Sequence, residues 1–151
     1  MKFRDYVSIL KRKIQTIENI VYVCIGSSRY LWDSVGPLVG NLLKEKLNNK
    51  LILGDMNKNI CDKKDLLLHY PKLKNKYIVA IDTAINNELK NDIYINNDCI
   101  SMGTAFNNNK GNIGNVSIKA GISNWQSITI SEVKDIAQFI ARGIINCELY
   151  S

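Results

Sequence analysis

Two stretches of this chain, Ile20-Val21-Tyr22-Val23-Cys24-Ile25 and Tyr77-Ile78-Val79-Ala80-Ile81, are apolar without interruption and rich in β-branched side chains. A strand with one face in water alternates polar and apolar residues. A strand that is apolar throughout must be covered on both faces, as the inner strands of a largely parallel sheet are. Between and around these runs lie segments of helical periodicity. Alternation of this kind predicts a central sheet with helices on both faces. A length of 151 residues suits one such domain, spanning residues 1–151.

The flanking segments fit that plan. Phe3, Tyr6, Val7, Leu10 and Ile14 recur at helical spacing. Val35, Leu38, Val39, Leu42, Leu43 and Leu47 mark a second helix, with Pro37 in its first turn, where a missing N–H is tolerated. Leu51-Ile52-Leu53 reads as a short strand closed by Gly54. A helix is expected over Lys63 to Tyr70, capped by Asp62 and stopped by Pro71. Asp82 is expected to end the second apolar strand. Ile93 to Ile95 and Val116 to Ile118 are weaker strand candidates around a Gly/Asn-rich loop from Gly103 to Gly114. Val133, Ile136, Ala137, Ile140, Ala141, Ile144 and Ile145 share one face of a C-terminal helix, which Thr129 and Glu132 open at capping-box spacing.

Composition excludes several classes. No run approaches the roughly 18 apolar residues of a membrane span, and Met1-Lys2-Phe3-Arg4-Asp5 shows no signal-peptide core. A soluble, cytoplasmic protein without membrane contact is therefore expected. The net charge is +6, but the lysines are spread along the chain, and Lys11-Arg12-Lys13 reads as a solvated helix face, so direct nucleic-acid binding is not expected. Cys24, Cys61, Cys99 and Cys147 form no C-x-x-C pair and read as small apolar side chains, kept reduced. His69 stands alone, without a second histidine for a zinc site or a partner for a Ser/His/Asp triad.

In open α/β sheets, ligands gather at the carboxyl ends of the strands. Asp33, in the loop after the first strand, and Asp82, after the second, both fall there. Two carboxylates in one partly dry cleft share a proton, so that one activates water while the other stays neutral. Such a pair suits hydrolysis of an amide or ester, and carboxylates equally suit a divalent cation. Asp33 or Ser34 also reads as a helix cap, and Asp82 as the cap of a following turn. Gly103, Gly111 and Gly114 would let backbone N–H groups face a ligand, or simply make a surface turn. Gly26-Ser27-Ser28-Arg29 lacks the glycine pattern of a nucleotide-binding loop.

The run from Cys24 to Gly40, C-I-G-S-S-R-Y-L-W-D-S-V-G-P-L-V-G, resembles the opening motif of the YyaC-type sporulation proteins, which reads roughly C-I-G-T-D-R-x-x-G-D-S-L-G-P-L-V-G. Ile78-Val79-Ala80-Ile81-Asp82-Thr83-Ala84 resembles that family's I-x-A-I-D-A segment, and Met102 to Ile118 its glycine-bearing loop and following strand. That family is similar to the spore germination proteases and, more distantly, to hydrogenase maturation proteases. The resemblance implies a three-layer α/β/α fold of the phosphorylase/hydrolase-like type with a mostly parallel or mixed sheet. It implies an atypical aspartic-type peptidase with Asp33 and Asp82 as catalytic acids. Gly26, Ser27, Gly36, Gly103, Gly114 and Asn115 would position the substrate. No cofactor or metal is implied, since the nickel site of the maturation proteases needs a histidine that this chain does not offer in place. The implied substrates are proteins or peptides, small acid-soluble spore proteins among them, in the mother cell or forespore. A homo-oligomer is compatible with this reading, as is a non-catalytic factor that binds partner proteins. The chain departs from the pattern at Trp32, where a glycine is usual, at Ser28, Met102 and Ala105, and at Asn115, which replaces an aspartate.

Overall fold

A computed structural model describes residues 1–73, 75–85, 91–102 and 112–150. Helix α1 (Phe3–Ile14) leads into β1 (Ile20–Cys24), a 3-10 turn (Leu31–Asp33) and α2 (Val35–Lys46). Then come β2 (Leu51–Leu53), α3 (Lys63–Leu67), α4 (Tyr70–Leu73) and β3 (Tyr77–Ile85). β4 (Asp92–Asn96), β5 (Ile100–Ser101), β6 (Asn112–Ile113), β7 (Val116–Ile122) and α5 (Ile130–Leu149) complete the order.

The five-stranded sheet runs β2-β1-β3-β7-β4, with parallel pairing as far as β7 and β4 antiparallel at the edge. It is the mixed, three-layer α/β/α arrangement that the apolar strands imply. On one face Tyr6 and Leu10 of α1, Val39 and Leu43 of α2, and Val133 and Ile140 of α5 join Tyr22, Cys24, Val79 and Ile81 in one cluster. On the other, Val21, Val23, Ile25 and Ala80 are covered by Ile60, Leu66, Ile100 and Met102. Both apolar strands are therefore buried on both faces. α1 and α5 are fastened together, with the Tyr6 hydroxyl donating to the Ile140 carbonyl at 2.8 Å and Phe3 edge-on to Phe139 at 5.5 Å. The Thr129–Glu132 capping box is formed.

Three expectations are corrected. Asp82 does not end its strand, because Asp82 to Ile85 continue the parallel ladder beside Lys119 to Ile122. The helix expected over Lys63 to Tyr70 is two short helices. Asp62 does cap the first, accepting the Asp65 N–H at 2.9 Å. Pro71 has no N–H to offer the Leu67 carbonyl, so the ladder fails before it, and the proline opens α4 instead of stopping α3. Within the Gly103–Gly114 segment, Asn112–Ile113 forms strand β6 against β5, while Gly103, Ala105 and Gly111 lie outside the described residues. Among the described residues, no helix is long and apolar enough to cross a membrane.

Candidate functional site

The site is built where β1 runs out. The Ile25 N–H donates to the Ile81 carbonyl at 2.7 Å and the Gly26 N–H to the Ile60 carbonyl at 3.0 Å, so both neighbours hold the chain as it leaves the sheet. Gly26 has φ +144°, and a Cβ there would lie 2.2 Å from the Asp33 carbonyl oxygen. A Cβ on Gly36 would lie 2.0 Å from the Ile25 carbonyl oxygen. Both glycines are thus positions of backbone against backbone. Their missing methyls let the 3-10 turn and the start of α2 close down on the end of β1, which fixes the place of Asp33. Ser27 belongs to the same knot: its N–H donates to the Asp33 carbonyl and to Asp33 Oδ2, both at 3.1 Å, and its hydroxyl accepts the Arg29 N–H.

Asp33 is not a helix cap. The N-cap of α2 is Ser34, without a side-chain capping bond, and its hydroxyl donates to the Leu31 carbonyl at 2.6 Å. The Asp33 carboxyl turns back to Ser27 instead and is only 9% exposed. Burial raises its pKa, the Ser27 N–H partly offsets this, and the carboxyl titrates at about 7. Asp82, in mid-strand, accepts the Thr83 N–H at 2.7 Å. Burial lifts its carboxyl well above the ordinary value and the charge of Asp33 pushes the same way, with Thr83 N–H and Lys119 opposing. The two acids therefore lie within electrostatic reach, and both are shifted toward the protonated form, Asp33 in the turn after β1 and Asp82 one residue beyond the last β1 pairing on β3.

Gly114 and Asn115 are brought elsewhere. The Asn115 N–H donates to the Ile78 carbonyl at 2.8 Å, and its side-chain oxygen accepts the Ile78 N–H at 2.7 Å. This double clasp ties the beginnings of β3 and β7, four residues from Asp82, or about 13 Å at the rise of a strand. Gly114 lies over Ala80 with φ +116°. Trp32 packs beneath the turn, edge-on to Trp125 and stacked with Tyr30, each at 5.9 Å between ring centres.

Two residues near the acids had not stood out. Cys61, expected to be an inert core residue as Cys24 and Cys147 are, is only half-buried, while Cys99 is exposed. Its thiol donates to the Gly26 carbonyl at 3.2 Å. Burial, then Asp33, Asp65, Asp62 and Asp82, push that thiol up to about 11. Lys119 is the register partner of Asp82 on β7. Its signal was present in the alternation of Val116, Ile118, Ala120 and Ile122 with Ser117, Lys119 and Gly121. Nothing in the sequence around Cys61 marked it. Among the described residues no group of three His, Cys, Asp or Glu side chains is arranged to hold a metal ion. Burial and then the lysines Lys58, Lys72 and Lys44 lower the pKa of His69, and neither acid is among the causes.

The three-layer α/β/α fold has counterparts among solved structures. The chain is similar to the [NiFe] hydrogenase maturation protease HycI from Thermococcus kodakarensis KOD1, at 17% identity and a TM-score of 0.63, covering 92% of this chain and 97% of that one. It is also similar to an uncharacterized protein from Wolinella succinogenes, at 14% identity and a TM-score of 0.54, covering 87% and 97%. At these identities the likeness is one of fold. No curated protein matches the sequence. Residues 1–143 match the family described as "Protein of unknown function (DUF1256)", and the chain belongs to that family.

Proposed function

We propose that this protein is a sporulation-associated peptidase of the YyaC type, in which Asp33 and Asp82 share a proton and activate water against a peptide carbonyl. The observation that carries the reading is the pair itself: two acids of raised proton affinity, with the charge of Asp33 felt at Asp82, beyond the carboxyl end of β1 where ligands gather. The protease-like fold and the motif resemblance around both acids support it. The ionised member takes a proton from water as its oxygen adds to the carbonyl carbon. The protonated member donates to the carbonyl oxygen; as the tetrahedral intermediate collapses the C–N bond breaks, the proton taken from water passes to the leaving amine, and the hydroxyl proton returns to the donor carboxylate. Gly26, Ser27 and Gly36 serve by holding Asp33 rather than by touching substrate.

The test is digestion of small acid-soluble spore proteins by the purified protein across a range of pH, read by mass spectrometry, with Asp33→Asn and Asp82→Asn as controls. Defined cleavage that both substitutions abolish is expected, failing at alkaline pH once the pair has lost its shared proton. Cleavage retained in a folded double variant would refute the mechanism. If no cleavage occurs at any pH while a spore protein is captured equally by wild type and double variant, a non-catalytic binding role replaces it.

A further inference from the structure

We propose that Lys119 forms an anion subsite of the candidate cleft and takes a carboxylate of the bound peptide beside the Asp33–Asp82 pair. The inference rests on the peptidase reading and deepens it by naming a substrate class.

Register and alternation place the residue. Asp82 on β3, Lys119 on β7 and Tyr94 on β4 are consecutive partners across the sheet. Ala80 faces the cluster of Val21, Val23 and Met102, and Asp82, two residues on, shares that face. Val116, Ile118 and Ala120 belong to the opposite cluster, so Lys119 projects to the same side as Asp82. One step further along, the corresponding partners are Ala84 and Gly121, whose side chains are small or absent, so neither competes with Lys119 for contacts on that face.

Lys119 is half-buried, yet no ion pair joins it to any described carboxylate within 4.0 Å. The nearby acids are engaged in other ways. Asp98 accepts the Ser117 hydroxyl at 2.5 Å. Asp92 accepts the Ile93 N–H and pairs with the terminal ammonium. Asp82 accepts the Thr83 N–H and holds its proton tightly, which leaves less negative charge to offset the ammonium. Among the described residues no carboxylate pairs directly with the Lys119 ammonium, so a ligand carboxylate would supply a charge-assisted partner there. In a peptide cleft the available anions are the chain-terminal carboxylate and the side chains of Asp and Glu.

The test reads binding rather than turnover, so it stands apart from the cleavage assay. Trp32 and Trp125, the two tryptophans of the chain, sit in edge contact next to Asp33 and serve as the fluorescent probe. The ligands are N-acetylated pentapeptides in three forms: C-terminal acid without acidic side chains, the same peptide as its amide, and the amide with one internal Glu. At least one acidic form should bind roughly tenfold or more tightly than the neutral amide, as a charge-assisted hydrogen bond provides. Lys119→Met should abolish that preference, Lys119→Arg should keep it, and Lys134→Met on the exposed face of α5 should leave it intact. Advantage confined to the C-terminal acid identifies a chain end as the natural ligand, and advantage confined to the Glu form identifies a side chain. Equal binding of all three forms, absence of binding in every form, or a preference that survives in folded Lys119→Met or Lys119→Gln overturns the proposal.

Discussion

Replacing Asp33 with asparagine should make the protein more stable, and the amount can be worked from its surroundings. An aspartate ordinarily titrates at 3.8, and the enclosed Asp33 at about 7. Between those values the folded chain keeps a proton that the unfolded chain has released, so stability falls as pH rises through the window. That window of about 3 pH units, at about 1.36 kcal/mol each, amounts to about 4 kcal/mol as an upper bound. Asparagine has nearly the same shape, and its side-chain oxygen can still accept the Ser27 N–H without carrying a charge. Asp33→Asn should therefore match wild type near pH 4 and exceed it by up to about 4 kcal/mol at pH 8. Urea unfolding followed by tryptophan fluorescence at fixed ionic strength measures the difference as a shift in midpoint at constant slope. Asp82 tilts both proteins in the same direction, so the variant should keep a shallower decline. A wild-type midpoint that is flat or rises from pH 4 to 8, or a variant with no gain at pH 8, would refute the reasoning.

Gly36→Ala places a methyl 2.0 Å from the Ile25 carbonyl oxygen and should cost about 1–3 kcal/mol, seen as a lower urea midpoint with an altered Trp32 signal. Asn115→Ala keeps the backbone half of the clasp but takes the side-chain acceptor from the Ile78 N–H, and should cost about 1–3 kcal/mol, yet leave any peptide cleavage unchanged once the variant is folded, because the clasp lies away from the acids. Alkylation by iodoacetamide at pH 8 should label exposed Cys99 quickly and Cys61 slowly. Asp33→Asn should quicken labelling of Cys61, since the Asp33 charge is one of the causes holding that thiol protonated; peptide mapping by mass spectrometry reads both rates.

The layers of the fold were legible because the strands that build them are apolar on both faces, and Ile20–Ile25 and Tyr77–Ile81 admit few other readings. The ends of elements were less so. Asp82 looks like a stop, yet pairing with Lys119 carries the strand past it, and pairing across a sheet leaves no trace in a local window. Pro71 looks like a stop as well, although a proline serves the start of a helix just as readily, and the split at Leu68 and His69 decides between them. The two acids could be picked out through their neighbours in the sequence. The influence of Asp33 on Asp82 could not, because it depends on β1 and β3 lying side by side. Gly26 and Gly36 were marked as positioning the substrate, and the structure adds that each lets backbone meet backbone, which no local pattern announces. Asn115 shared a stretch with Gly114, and only the Ile78 clasp reveals which end of the sheet it serves.

The bond between α1 and α5 also sets a timetable. The apolar stripe of α1 leaves the ribosome ahead of α5, and the Ile140 carbonyl that receives Tyr6, and the Phe139 ring that meets Phe3, are made more than a hundred residues later. At about 5–20 residues per second, α1 waits on the order of ten seconds with that stripe uncovered. During this interval the nascent chain offers an amphipathic helix to whatever is nearby, and any pause in translation before α5 lengthens the offer.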